Sequence, residues 1–125
     1  MGMAGRNFDN QQTLERQIKD VHFKFSHSGG TFTKVLAKGV YAVTREGAGE
    51  YKIELEDKWI ALRDFEVSII DSTARDYSFQ IKAYDMNPVS GKAYITFYSN
   101  TAATPTDLST CTLLGKLTLK NTSVF

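Results

Sequence analysis

From Ile18 onward the apolar residues of this chain fall on every second position, and no other feature restricts its possible folds so strongly. Successive side chains of a β-strand point to opposite faces, so a period of two marks a sheet with one dry face and one wet face. "DVHFKFS" sets Val21, Phe23 and Phe25 against His22, Lys24 and Ser26, and "SHSGG" then turns the chain. "TFTKVLAKGVYAVT" (31–44) puts Val35, Ala37, Tyr41 and Val43 on the apolar register, with Gly39 marking a bulge or a bend. "EYKIELE" opposes Tyr51, Ile53 and Leu55 to Glu50, Lys52, Glu54 and Glu56. The pattern returns with Phe65, Val67 and Ile69, then with Tyr77, Phe79, Ile81 and Ala83. It closes with Ala93, Ile95 and Phe97, and with Leu113, Leu117 and Leu119. About seven strands at this spacing predict an all-β fold, an antiparallel β-sandwich of immunoglobulin-like or jelly-roll-like type over residues 18–125. Only "DKWIALRD" reads as helical within it, one or two turns whose Trp59 and Leu62 would plug the open end of the sandwich.

Residues 1–17 lack the two-residue period and form a separate N-terminal segment. Asp9 followed by Gln12 is a capping-box pattern, and Leu14, Ile18 and Val21 fall at i, i+4 and i+7, which fits a short helix. Phe8 and Leu14 equally suit anchors on an extended arm. Both readings stand at this level.

A chain of 125 residues buries roughly two thirds of its unfolded surface, enough for a core without a disulfide or a metal. The net charge of +1 provides no strongly basic footprint for a phosphate backbone, so no nucleic-acid partner is expected. No run approaches membrane-spanning length, and "MGMAGRNFDNQQ" lacks the apolar core of a signal peptide. With Cys111 as its single cysteine the chain is expected to work reduced, in an aqueous compartment.

Candidate chemistry is sparse. His22 and His27, with one distant cysteine, fall short of a convergent zinc set and read as surface or turn residues. Cys111, entering the last strand, reads as a half-buried structural thiol. Glu54 and Glu56 would share a strand face about 7 Å apart, within the range of a glycosidase pair. Alternating Glu and Lys is also the ordinary composition of a wet strand face. With no P-loop, dinucleotide-binding glycines or G-x-S-x-G motif, neither an enzyme, a metal nor a cofactor is expected.

Two features exceed this background. "YSNTAATPTDLSTCT" (98–112) is long and nearly uncharged, which suits either a plain crossover or a contact surface including Thr101, Thr104 and Pro105. Tyr84, Tyr94 and Tyr98 fall outside the inward register and would form a row on the outer face, for a protein partner or a stacked sugar.

"KGVYAVTREGAGEYKIELEDKWIAL" (38–62), followed by "FEVSII", resembles a module of small virion structural proteins of tailed bacteriophages. The residues that carry the likeness are Gly39-Val40, Val43-Thr44-Arg45, Gly47, Gly49, Tyr51, Ile53, Leu55, Asp57, Trp59, Leu62 and Val67-Ser68. It covers residues 38–99 well and the last strand loosely, and Gly47, Gly49, Tyr51 and Trp59 are its hairpin-building positions. The resemblance implies a capsid decoration (cement) protein, or a neck or tail accessory protein. Such a protein would be made in the host cytoplasm and carried on the outer surface of the virion. Its implied partners are the major capsid protein and, as a homotrimer, itself, with Phe8 and Leu14 of the arm reaching over the shell. The alternative is a host-recognition or carbohydrate-binding module of a tail or head fibre.

Overall fold

A computed structural model describes residues 18–120, so the expected arm with Phe8 and Leu14 lies outside the described residues. Nine strands follow in order: β1 (Ile18–Ser28), β2 (Thr31–Leu36), β3 (Val40–Gly47), β4 (Glu50–Leu55), β5 (Ala61–Ile70), β6 (Ser78–Asp85), β7 (Tyr94–Thr101), β8 (Thr104–Pro105) and β9 (Cys111–Lys120). They form two antiparallel sheets packed face to face, a β-sandwich. One sheet has the order β2-β1-β9-β5; the other has β3-β4-β7-β6, with the short β8 added beside β7.

The inward residues that the period predicts make the core. Tyr51, Ile53, Leu55, Ala93, Ile95, Phe97, Leu113, Leu117 and Leu119 are fully buried. Aromatic rings run from one sheet to the other: Phe25 and Phe32 lie 6.5 Å apart, Phe32 and Tyr51 5.4 Å, and Tyr51 and Phe97 5.7 Å. Edge-on and tilted pairs at these separations gain over plain area burial because ring edge meets ring face. Gly115 takes an inward position on the central strand β9, between Phe23 and Val67 of the neighbouring strands. The Phe23 ring occupies the volume that a Cβ on Gly115 would need.

Three expectations need correction. "TFTKVLAKGVYAVT" is two strands, not one, because the turn at Gly39 (φ 95°) carries the chain from one sheet to the other. The register restarts there, so Val40 is buried while Val35 and Tyr41 are more than half exposed. "DKWIALRD" forms no helix. The amide N–H groups of Trp59 and Ile60 donate to the carbonyls of Met86 and Lys120, each at 2.8 Å, and β5 begins at Ala61. So short a helix would not recover its nucleation cost against such bonds. Trp59 and Leu62 still pack against the core as half-buried side chains. Finally, Ala83 pairs with the outward Thr96, and Ile81 lies more than a third exposed on the edge, so neither is a core residue.

The last difference reflects a rule of this fold. The central pairs β1–β9 and β4–β7 run without a register shift, whereas all four edge strands are bulged. The unpaired extra residues are Val35 on β2, Tyr41 and Glu46 on β3, Arg63 on β5 and Lys82 on β6. A bulge interrupts the ladder and twists an edge away from strand addition.

Replacing Gly115 with alanine should lower stability by about 1–3 kcal/mol, the usual cost of overpacking a filled core. Trimming the ring in Gly115→Ala/Phe23→Leu should recover part of the loss relative to the two single changes added together. Urea unfolding midpoints of the four proteins measure this.

Candidate functional site

The segment 98–112, read from sequence as either a plain crossover or a contact surface, contains the end of β7, the short β8 and a stretch tied by hydrogen bonds to several strands. β7 runs through Thr101, Ala102 and Ala103 make a tight reversal, and Thr104–Pro105 returns as β8, pairing Thr101 with Thr104 and Asn100 with Pro105. Both alanines have positive φ, 51° and 64°, the geometry of a type I′ hairpin turn that normally takes Asn-Gly. Left-handed backbone brings an L-residue's Cβ close to the following carbonyl.

Beyond β8, residues 106–110 form a strap with no strand partner, so side chains from other strands satisfy its backbone. Thr106 N–H donates to the Ser99 carbonyl at 2.7 Å, and Ser99 Oγ donates to the Thr106 carbonyl at 2.5 Å. Leu108 N–H donates to the Tyr51 hydroxyl at 2.8 Å, and Ser109 N–H to the Tyr77 hydroxyl at 3.0 Å. The Tyr77 hydroxyl donates in turn to the Asp107 carbonyl at 3.2 Å. The buried His27 spans the same end: its Nδ1 lies 2.6 Å from the Ser109 carbonyl, and its Nε2 accepts from Gly30 N–H at 3.1 Å. That pair of bonds makes Nδ1 the protonated nitrogen. His27 is therefore a core residue, not the surface or turn histidine that the sequence suggested, whereas His22 is exposed.

Two carboxylates complete the network. Asp107 accepts from the Arg45 guanidinium through both oxygens at 3.0 Å and from Gly49 N–H at 2.8 Å, and these bonds hold its pKa down. Gly49 (φ 65°) has no room for a Cβ, which would strike the backbone of Pro105 and Thr106. Asp71 accepts from Ser109 Oγ at 2.6 Å, from Thr73 N–H at 2.9 Å and from Arg75 Nε at 3.0 Å, with the Ser109 bond leading the effect. They lower its pKa from 3.8 to about 2. Burial pushes the Tyr51 hydroxyl and the Cys111 thiol up, away from ionised forms.

The remaining expected site residues do not converge. Tyr94 and Tyr98 share the outer face of β7 with Glu54, Glu50 and Lys52 of β4. Tyr84 registers with the inward Ile95, because the bulge at Lys82 inverts the last residues of β6, so the three tyrosines form no row. The rings of Tyr94 and Tyr98 are also attended by ammonium groups, Lys52 Nζ at 5.0 Å and Lys82 Nζ at 5.9 Å from their centroids. A sugar stacking there would have to displace cations. Glu54 lies on β4 and Glu56 beyond its end, where its N–H donates to the Gly39 carbonyl at 3.0 Å. Thr101 is half-buried while Thr104 and Pro105 are exposed beside the strained turn, and Gly47 closes β3.

Among the described residues no three His, Cys, Asp or Glu side chains gather to hold a metal ion, and no helix is long and apolar enough to cross a membrane. The strap network was invisible to local pattern reading, since its donors and acceptors come from four strands and the β5–β6 connection; only the pairing of polar Tyr51 with a buried register hinted at a hydroxyl needing a partner. Set beside known proteins, the chain matches no family model, no curated protein and no solved structure.

The change Ala102→Asn with Ala103→Gly should raise stability by about 1 kcal/mol by relieving two left-handed alanines. Ala103→Val should lower it, and thermal melts of the three proteins decide. Asp71 gives a pH signature: its folded pKa lies below the unfolded value, so its contribution is fully present above pH 3.8 and fades as pH falls toward 2. Asp71→Asn should therefore flatten the acid limb of stability over that window and leave its shape above pH 5 unchanged.

Proposed function

We propose that the chain is a non-enzymatic structural protein of a bacteriophage particle, specifically a capsid decoration protein that bridges neighbouring major capsid subunits on the outer surface of the head. The likeness of residues 38–99 to small virion proteins supplies the class. The observation that carries the reading further is the use made of the polar groups at the tied end. Arg45, Asp107, Asp71, Tyr51, Tyr77 and His27 are all engaged in holding the strap. What they yield is a rigid sandwich, and the bulged edges make it resistant to adventitious strand pairing. A protein that acts by cementing subunits needs that stiffness, because a compliant contact would lose to ordering entropy much of what it gains in area.

Quantitative mass spectrometry of purified particles tests the proposal. A copy number comparable with that of the major capsid protein is expected. A number more than an order of magnitude smaller would move the protein to the neck, tail or fibres, and absence from the particle would sink the virion reading. Deleting residues 1–17 should leave a folded sandwich that no longer binds particles.

A further inference from the structure

His27 is 3% exposed and uses both ring nitrogens, yet only one of its two bonds survives a second proton. Nδ1–H donates to the Ser109 carbonyl whether the ring is neutral or charged. Nε2 accepts from Gly30 N–H only while the ring is neutral, because an imidazolium carries a proton on each nitrogen. Gly30 belongs to the two-residue turn that joins β1 to β2, with Ser28 paired to Thr31 across it. Both of its glycines have positive φ, 57° and 86°, as a type I′ turn requires. β2 is an edge strand, and among the described residues its ladder is with β1 alone, from Lys24 to Ser28 and interrupted by a bulge. Its Phe32 rests on the His27 ring at 4.6 Å and on Tyr51 at 5.4 Å.

Charge reaches His27 from every element packed against it. From the strap, Asp107 is held below the usual carboxylate range by Arg45 and Gly49 N–H, and its ionisation is coupled to the charge on His27. From the β5–β6 connection, Asp71 is lowered to about 2 and bound to Ser109 and Arg75. Arg45 of β3 lies against Gly30, where a Cβ would come within 3.2 Å of its side chain, and the bond to Asp107 keeps it charged. Burial pushes up the Tyr51 hydroxyl of β4 and the Cys111 thiol, which sits opposite His27 on β9. The Tyr77 hydroxyl is spent on the strap, and β2 adds the exposed ammonium of Lys34. Over the interval in which an imidazole changes charge, the change at this end is therefore carried by His27.

We infer that His27 is an acid-released latch on β2: when its ring takes up a proton, Gly30 N–H loses its acceptor and the Gly29-Gly30 turn moves away with the edge strand behind it. Two N–H donors would otherwise face each other in a part-buried site, and an unpaired donor there is costly. The turn yields rather than the strap. Two consecutive glycines leave its backbone free to move, whereas the strap keeps its bonds to Ser99, Tyr51 and Tyr77 as well as the one to His27 Nδ1. Release opens the groove of about 400 Å³ in which Thr31 and Thr33 of β2 stand beside His27 and Cys111. The inference concerns the isolated chain and stands apart from the virion reading.

NMR of the full chain tests it, with amide hydrogen exchange and the histidine ring ¹⁵N resonances followed from about pH 7.5 to about pH 5.5. As the His27 ring takes up its proton, protection of Gly30 and of the β2 amides should fall by roughly tenfold, while that of β9 holds. His27→Gln replaces the ring with an uncharged amide that donates to Ser109 and accepts from Gly30 at every pH, so its β2 protection should not vary. His22→Gln, at an exposed position, should behave as the unmodified protein does. If His27→Gln does not fold, the titration of the unmodified chain still decides. A His27 ring that stays neutral over that interval would overturn the inference, as would a ring that titrates while Gly30 and β2 keep their protection. So would a loss spread equally over β9, or a pH-dependent loss that persists in His27→Gln.

Discussion

The strap at residues 106–110 has no neighbouring strand, and a buried backbone without hydrogen-bond partners costs more than this sandwich could tolerate. Satisfying it fixes the identity of distant side chains. Leu108 N–H needs the Tyr51 hydroxyl, Ser109 N–H needs the Tyr77 hydroxyl, and the Ser109 carbonyl needs His27. Each of these groups lies on or beside a different strand, so the strap draws β1, β4 and the entry to β6 together at one end. Asp107 extends the same logic to the β3–β4 hairpin through Arg45 and Gly49 N–H. The glycines of that hairpin therefore do more than turn the chain. Gly49 also clears the space through which β8 and the strap pass.

Regularity is confined to the middle of the molecule. β9 pairs β1 in full register, and β7 joins β4 without a shift, so the alternation written there is read out faithfully as burial. Every edge strand contains an extra residue, and each bulge reverses which face the following side chains occupy. Tyr84 shows the effect. Its odd–even position matches an outward tyrosine, yet the bulge at Lys82 sets it level with Ile95 on the inward side, where the open flank leaves it exposed.

This explains what the sequence could and could not reveal. The core was legible because Tyr51, Ile53, Leu55, Ile95, Phe97 and the leucines of β9 lie on unbroken stretches where a period of two is a direct consequence of the pleat. The division of 31–44 into two sheets was not, because Gly39 announces a bend without saying which sheet comes next. The hairpin at Ala102-Ala103 carries no turn residue, and strain tolerated there is held in place by the Thr101–Thr104 pair and the tied strap behind it. Local composition made 98–112 look loose; the groups that fasten it are between 7 and 82 residues away in the chain.

A sandwich built in this way can engage a partner only through certain surfaces. Its ladders end in bulges, so an extended peptide finds no continuous row of backbone donors and acceptors to add to. Its tied end has its polar groups already spent on the strap, and a ligand bonding there would have to break bonds that hold the fold. The tyrosines of the outer β7 face are shared with lysine ammonium groups. What remains is contact between side chains on the flanks, where exposed apolar residues, Val35, Leu36 and Tyr41 on one side and Ile70, Ile81 and Tyr84 on the other, lie among charges of both signs. Contacts of that composition are strengthened by burial at their centre and selected by charge at their rim, so they discriminate orientation even where the area is modest. The apolar surface of the β2/β3 flank follows from the same bulges that protect the edges, because Val35 and Tyr41 are extra residues there and both stand more than half exposed.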